Sequence, residues 1–324
     1  MKNQFVVPSL AILLASGLFA PNLHAKPGFE VQSVQEPSAW TVRYKNQKVM
    51  VYSFAQQKFK SYVKELYTLK GDNILRDAPH DHLHHHALMY AIRVNGLNFW
   101  EETSGCAVEK SIAPPKVVLG FTTCGKEEVP QATISQELRW VAAQDAFLPD
   151  TNRVSLLLEH RKLVLTLNPA LQEVALEWKS QFEVGTKTNT VVLTGASYNG
   201  LGMRFQQNLD ALAVHSIGGI RPDLANNRLD LTVAPWATVS FDAPGHPATI
   251  ALAGHPSNTR GDATFFSMVT PFAYLSATQA LDKEPLIYQT GDKLELNYLV
   301  LLYPESKPSD NLRKHIDAWR QSRP

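Results

Sequence analysis

"RVSLLLEHRKLVLTL" at residues 153–167, followed by "QEVALEWKSQFEV" at 172–184, decides the fold. Apolar side chains recur at every second position in both runs. That period places alternate residues on opposite faces of a strand and suits a sheet with one face buried. "TNTVVLTGAS" (188–197), "ATIALAG" (248–254) and "LELNYLVLLY" (294–303) repeat the texture, and Gly, Pro, Asn or Asp bounds each run. Strands rich in Val, Leu, Thr, Tyr and Trp and separated by such residues predict an all-β chain, a large antiparallel β-sandwich. Asn95-Gly96, between "HALMYAIRV" and "LNFW", predicts a tight hairpin because both residues accept positive φ.

Helical signals are few. Residues 53–71 fit helical spacing only loosely, through Phe54, Phe59, Tyr62, Val63 and Leu66, and a strand near "YVKELYTL" is the alternative. "PSDNLRKHIDAWRQS" reads better, as a short C-terminal helix over about 309–321. Ser309 or Asp310 is its expected cap, and Leu312, Ile316 and Trp319 share one face. Neither an internal repeat nor a linker marks a boundary, so residues 26–324 are expected to form a single domain.

The chain has 324 residues, of which 44% are hydrophobic and 19% charged, with a formal charge of +1. That composition supports a large core and lacks the cationic excess of a phosphate-tracking surface, so nucleic acid is not an expected partner. Residues 1–25 read as a signal peptide: Lys2, an apolar run of about 16 residues interrupted by Pro8, and a small residue at Ala25. Cleavage there predicts a periplasmic or secreted protein without stable membrane insertion. Cys106 and Cys124 either pair in that compartment or stay as two separate buried thiols.

Chemistry concentrates in "HDHLHHH", where His80, His82, His84, His85 and His86 occupy five of seven positions, with Asp77 and Asp81 nearby. In an extended strand His82, His84 and His86 would share a face, about 7 Å apart in succession, and His85 would point the other way. A bend would let those three hold a divalent transition metal. Without metal, the imidazoles would act as acids, bases or hydrogen-bond donors near their working pH. The glutamate spacing of a zincin helix is missing, as are a Gly-x-Ser-x-Gly elbow, a phosphate-binding loop and a dinucleotide fingerprint.

"DHLHHHALMYAIRVNGLNFWEE", "YNGLGMRF" and "AGHPSNTR", in that order, resemble the PmoA-like, "methane oxygenase"-labelled family of exported bacterial proteins over roughly residues 40–303. The chain departs from that pattern at His86-Ala87, where the family carries Arg-Gly. The label is not an expected activity, since the membrane monooxygenase subunit of that name spans the bilayer several times and this chain has no such segment after its signal. The resemblance implies the β-sandwich of aldose mutarotases and a carbohydrate-active enzyme of epimerase, lyase or hydrolase type, acting on a small-molecule or oligosaccharide ligand. His82, His84, His85, Glu102 and His255 become the expected catalytic groups, with Asp81, Arg204, Asn258 and Trp100 as substrate contacts. Trp140, Trp178 and Trp236 are further aromatic faces, with Trp178 better suited to core packing. The rival readings are a non-catalytic carbohydrate-binding protein and a metal-binding protein or oxidoreductase using the histidines.

Overall fold

The computed structural model describes residues 31–54, 59–103, 105–146, 148, 149, 152, 154–224 and 229–323. The expected signal peptide lies outside them. Among the described residues the strands form two nine-stranded sheets and one of four, and all paired strands run antiparallel. This is the large β-sandwich that the period-two runs predict. Leu157–Asn168 and Glu173–Val184 pair along their whole length, from Leu157 opposite Val184 to Asn168 opposite Glu173. They lie in one large sheet with Lys293–Tyr303, Ala248–Gly254 and Glu127–Val141.

The other large sheet carries the elements that matter for function. Its centre runs Tyr62–Leu66, Leu88–Ala91, Gly200–Arg204, Tyr274–Thr278, Ala263–Met268 and then Leu229–Ala234 at the edge. Residues 62–66 therefore take the strand alternative; Tyr62, Val63 and Leu66 are buried there, while residues 55–58 lie outside the described set. Inward faces of the two sheets meet in one core, with Tyr90, Leu201, Met203 and Leu275 on one side and Leu165, Trp178, Ile250 and Val300 on the other. Each such aliphatic side chain contributes about 1.5–3 kcal/mol by leaving water.

Asn95 (φ 50°) and Gly96 (φ 79°) form the predicted turn, with Val94 opposite Leu97. The histidines do not lead straight into that hairpin. They precede Leu88–Ala91 in the large sheet, and the chain then crosses at Ile92 into the four-stranded one.

The C-terminal helix, Ser309–Gln321, sets Leu312 and Ile316 against Trp236, Ala251, Leu299 and Leu301 on the outer face of the sheet that holds Leu157–Asn168 and Glu173–Val184, with Trp319 partly buried beside them. Its start differs from the sequence expectation: Pro308 is the N-cap, and proline's fixed φ suits the turn into the first residues. Arg320 fastens the far end by donating to Gly254 O and, at 2.6 Å, to Asp262 Oδ1. Cys106 and Cys124 are both free thiols, so the bridged alternative does not hold. Their surroundings differ: Cys106 Sγ lies 3.2 Å from Thr103 Oγ1, and Cys124 accepts from Asn168 Nδ2.

Candidate active site: an imidazole cluster on an aromatic cavity

Residues 78–87 form a compact turn rather than a strand. Ala78 N–H donates to His85 O, His82 N–H to Pro79 O and His85 N–H to His82 O. Ala78 (φ 44°) and Ala87 (φ 32°) bracket the turn in a backbone region that costs a residue with a Cβ on the order of 1–3 kcal/mol, a kind of strain that concentrates at functional sites. Alternation therefore does not govern which way the histidines point.

The turn puts His82, His84 and His85 together and sends His86 elsewhere. The His82 and His85 rings stack at 4.6 Å, His84 meets His85 edge-on at 4.6 Å, and His82 lies 5.7 Å from His84. His86 is committed on both sides, its Nδ1 2.6 Å from Asp77 Oδ1 and its Nε2 2.8 Å from Glu102 Oε1, while Tyr62 stacks on its face at 4.1 Å. The expected ligand set of His82, His84 and His86 is thus not assembled, because both nitrogens of His86 are already engaged. Among the described residues no group of three or more His, Cys, Asp or Glu side chains is arranged to hold a metal ion.

His85 stands at the centre of the cluster and is buried. Burial, then the like charges of His84 and His82, hold its pKa down at about 2, so the ring is neutral at ordinary pH. His84 is lowered too, by burial first and then by Lys60. His82 Nδ1 lies 3.0 Å from Asp81 Oδ2, and the same oxygen accepts from Arg204 Nη2 at 3.4 Å. The Arg204 guanidinium lies 3.3 Å over the ring of Phe272. Arg204 thus packs on Phe272 and Asp81 just behind the cavity lining, and its Nε and Nη1 have no protein partner.

These rings face a cavity of about 490 Å³ whose walls include Trp100, Tyr198, Phe266, Phe272 and Tyr274 beside the three imidazoles. Strand register builds it: Met203 opposes Leu88, Arg204 opposes Tyr274, and Met268 opposes both Tyr274 and Leu229. The histidine turn, Phe272 and Tyr274 thus emerge at one end of adjacent strands, while Phe266 lies within its strand and Tyr198 precedes the far end of Gly200–Arg204. Gly202 is required there, since a Cβ on it would sit 1.8 Å from the Tyr274 hydroxyl. Buried polar atoms on three wall residues have no protein partner: His85 Nδ1, Trp100 Nε1 and the Tyr274 hydroxyl.

Behind this wall runs a buried ionic chain. Lys60 Nζ lies 3.0 Å from Glu102 Oε1 and donates at 2.7 Å to Trp100 O, so it ties the Asp77–His86–Glu102 chain to the back of the cavity wall. Burial raises the Glu102 pKa, but hydrogen bonding from His86 and the Lys60 charge outweigh it and hold the carboxyl low. Glu102 is drawn back from the cavity, and its neighbour Glu101 lines it instead.

Two expected site residues lie apart from the cavity lining. His255 is buried against the C-terminal helix, its Nδ1 2.7 Å from Ser257 Oγ, its Nε2 3.1 Å from Ser322 O and its ring 5.2 Å from Trp319. Asn258 clips the backbone of Asn297, donating to its carbonyl and accepting from its N–H. Both side chains are engaged at the strand-to-loop junction, and Asn258 lines a separate cavity of about 200 Å³. Sequence reasoning passed over Lys60, Tyr198, Phe266, Phe272 and Tyr274. Tyr198 stands in the quoted "YNGLGMRF" and was open to notice, whereas Phe272 and Tyr274 have no flanking pattern to mark them.

Among the described residues no helix is long and apolar enough to cross a membrane. No curated protein matches the sequence. Solved structures of similar fold include an α-galactosidase from Lactobacillus brevis, 7% identical over 92% of this chain and 42% of that one, with a TM-score of 0.46. An α-galactosidase from Geobacillus stearothermophilus in complex with raffinose is 11% identical over 86% of this chain and 41% of that one, TM-score 0.43. A galactose mutarotase related enzyme from Lactobacillus acidophilus is 9% identical over 86% of this chain and 100% of that one, TM-score 0.34. The chain spans about two fifths of the length of the α-galactosidases it matches. The model of DUF6807, a family of unknown function, matches residues 39–317, and the chain belongs to that family.

Proposed function

We propose that the protein is an exported enzyme that binds a sugar in the aromatic cavity and moves a proton on it with the imidazole cluster. One observation carries this: three imidazoles, two of them with lowered pKa, stand on a cavity walled by five aromatic side chains, and three wall residues hold buried polar atoms without partners. Aromatic faces suit the apolar C–H face of a pyranose. Unpartnered donors and acceptors suit its hydroxyls, because a buried polar group left unmade is costly and a ligand hydroxyl relieves it. The motif resemblance to the PmoA-like proteins supports the same reading.

Within that reading the histidines divide the work. His84, partly exposed and held neutral, takes a proton from the sugar and returns it. His85 stays neutral and donates a hydrogen bond to the sugar oxygen on which charge develops, as a buried imidazole with a strongly lowered pKa is suited to do. Asp81 orients His82, and the Asp77–His86–Glu102–Lys60 chain fixes the wall behind them.

The test is to incubate the protein with a panel of common mono- and oligosaccharides in D2O and follow each by proton NMR. Deuterium incorporation at a sugar carbon, a new anomer, an unsaturated product or a new reducing end is expected. At least about a hundredfold of that rate should vanish in His84→Ala, the scale of one general acid or base. A sugar that binds in the cavity but is never changed would make the protein a binding module and overturn the catalytic part.

A further inference from the structure

A second cavity, of about 540 Å³, is lined in part by chain neighbours of residues that line the first. The two share one segment of chain: Val269 and Thr270 line the second, while Pro271 and Phe272 line the first. Four residues span at most about 14 Å, so the two spaces are a short step apart. Asp210 belongs to the second cavity, and its Oδ1 accepts the backbone N–H of Ala273, which sits between the aromatic residues Phe272 and Tyr274.

His215 is a wall residue of this second cavity. It is 2% exposed, and neither of its ring nitrogens has a hydrogen-bond partner. Burial holds its pKa down at about 4, so at neutral pH it offers one N–H and one lone pair. Two unmade hydrogen bonds on one buried ring are unusual in a protein interior and call for a group that can satisfy both. Apart from His215 the lining has no aromatic ring; Asp210, Asp223, Arg221 and Thr270 are its polar members. With both signs of charge in the lining, a ligand without net charge suits it, and His215 asks for a group that both donates and accepts. A polyhydroxylated ring has that chemistry.

We infer that the His215 cavity is a second subsite, taking the next sugar residue of a chain whose first ring sits in the aromatic cavity, so that the substrate class is an oligosaccharide rather than a free monosaccharide. The inference rests on the sugar reading of the first cavity.

Titration calorimetry tests it with glucose, galactose, mannose and xylose against maltotriose, cellotriose, raffinose, mannotriose and xylotriose. A trisaccharide is expected to bind at least about tenfold more tightly than its own monosaccharide, a single decade of affinity. His215→Leu should abolish that gain and leave the monosaccharide affinity unchanged. Asp210→Asn, which keeps the acceptor for Ala273 N–H, should reduce it and covers the case in which the histidine variant folds poorly. Equal affinity for monosaccharide and trisaccharide, or a gain that survives both substitutions, overturns the second subsite while leaving the sugar reading intact. Failure of every sugar in the panel to bind overturns both.

Discussion

At the scale of single residues, the protein spends stability on neutral imidazoles. His215 has a pKa of about 4 in the folded chain against an ordinary value of 6.5, lowered by burial alone. The unfolded chain therefore binds more protons between those values, and this histidine's contribution is whole above pH 6.5 and lost progressively as pH falls toward 4. His215→Leu should flatten the stability-against-pH curve by up to about 1.4 kcal/mol per pH unit within that window. Urea denaturation at intervals of pH reads this directly, and an unchanged slope would mean that the ring already carries a proton when folded. The histidine cluster shows why residue roles were only half legible. "HDHLHHH" announced chemistry, but the strand assumption grouped His86 with His82 and His84. Turn hydrogen bonds decide otherwise, and Asp77 lies nine residues from the ring it engages.

At the scale of elements, strand register assembles the cavity, and glycine permits it. Gly202→Ala would drive a methyl group into the Tyr274 hydroxyl. A loss of about 1–3 kcal/mol is expected, as for an overpacked core, together with weakened sugar binding as Tyr274 leaves the wall. Stability measured beside affinity separates the two effects; a variant as stable as the wild type would show that the ring has room to move. The C-terminal helix makes a simpler prediction. Ile316 is fully buried on Ala251 and Leu299, so Ile316→Ala should cost about 2–5 kcal/mol in urea denaturation without changing the cavity on the other sheet. Most of these elements were readable from period two and from the helical spacing of Leu312, Ile316 and Trp319. Their order was not. Leu88–Ala91 lies between Tyr62–Leu66 and Gly200–Arg204, a neighbour more than a hundred residues away, and no local pattern encodes such a pairing.

At the scale of the whole molecule, a second buried ionic group crosses the core. Arg161 donates to Glu159 at 2.7 Å and to Glu109 at 3.0 Å, and its Nη1 reaches Ser61 O at 2.6 Å; Trp140 and Ser180 also donate to Glu159. The hint lay in the opening stretch, where Glu159 and Arg161 occupy the same alternation as Leu163 and Leu165, yet period two reports a face and not its partners. Arg161→Met should cost about 3–5 kcal/mol, because it strands two buried carboxylates, whereas replacing Arg161, Glu109 and Glu159 together with apolar residues should cost less. Chemical denaturation of the two variants checks the order. The sandwich is thus a frame that gathers imidazoles and aromatic rings around one cavity. A crystal structure of the protein soaked with the tightest-binding sugar of the panel tests that most directly. A sugar ring against Trp100 and Phe272 is expected, with a hydroxyl within hydrogen-bond reach of His85 Nδ1. A sugar bound elsewhere on the molecule, with the aromatic cavity left to water, would contradict it.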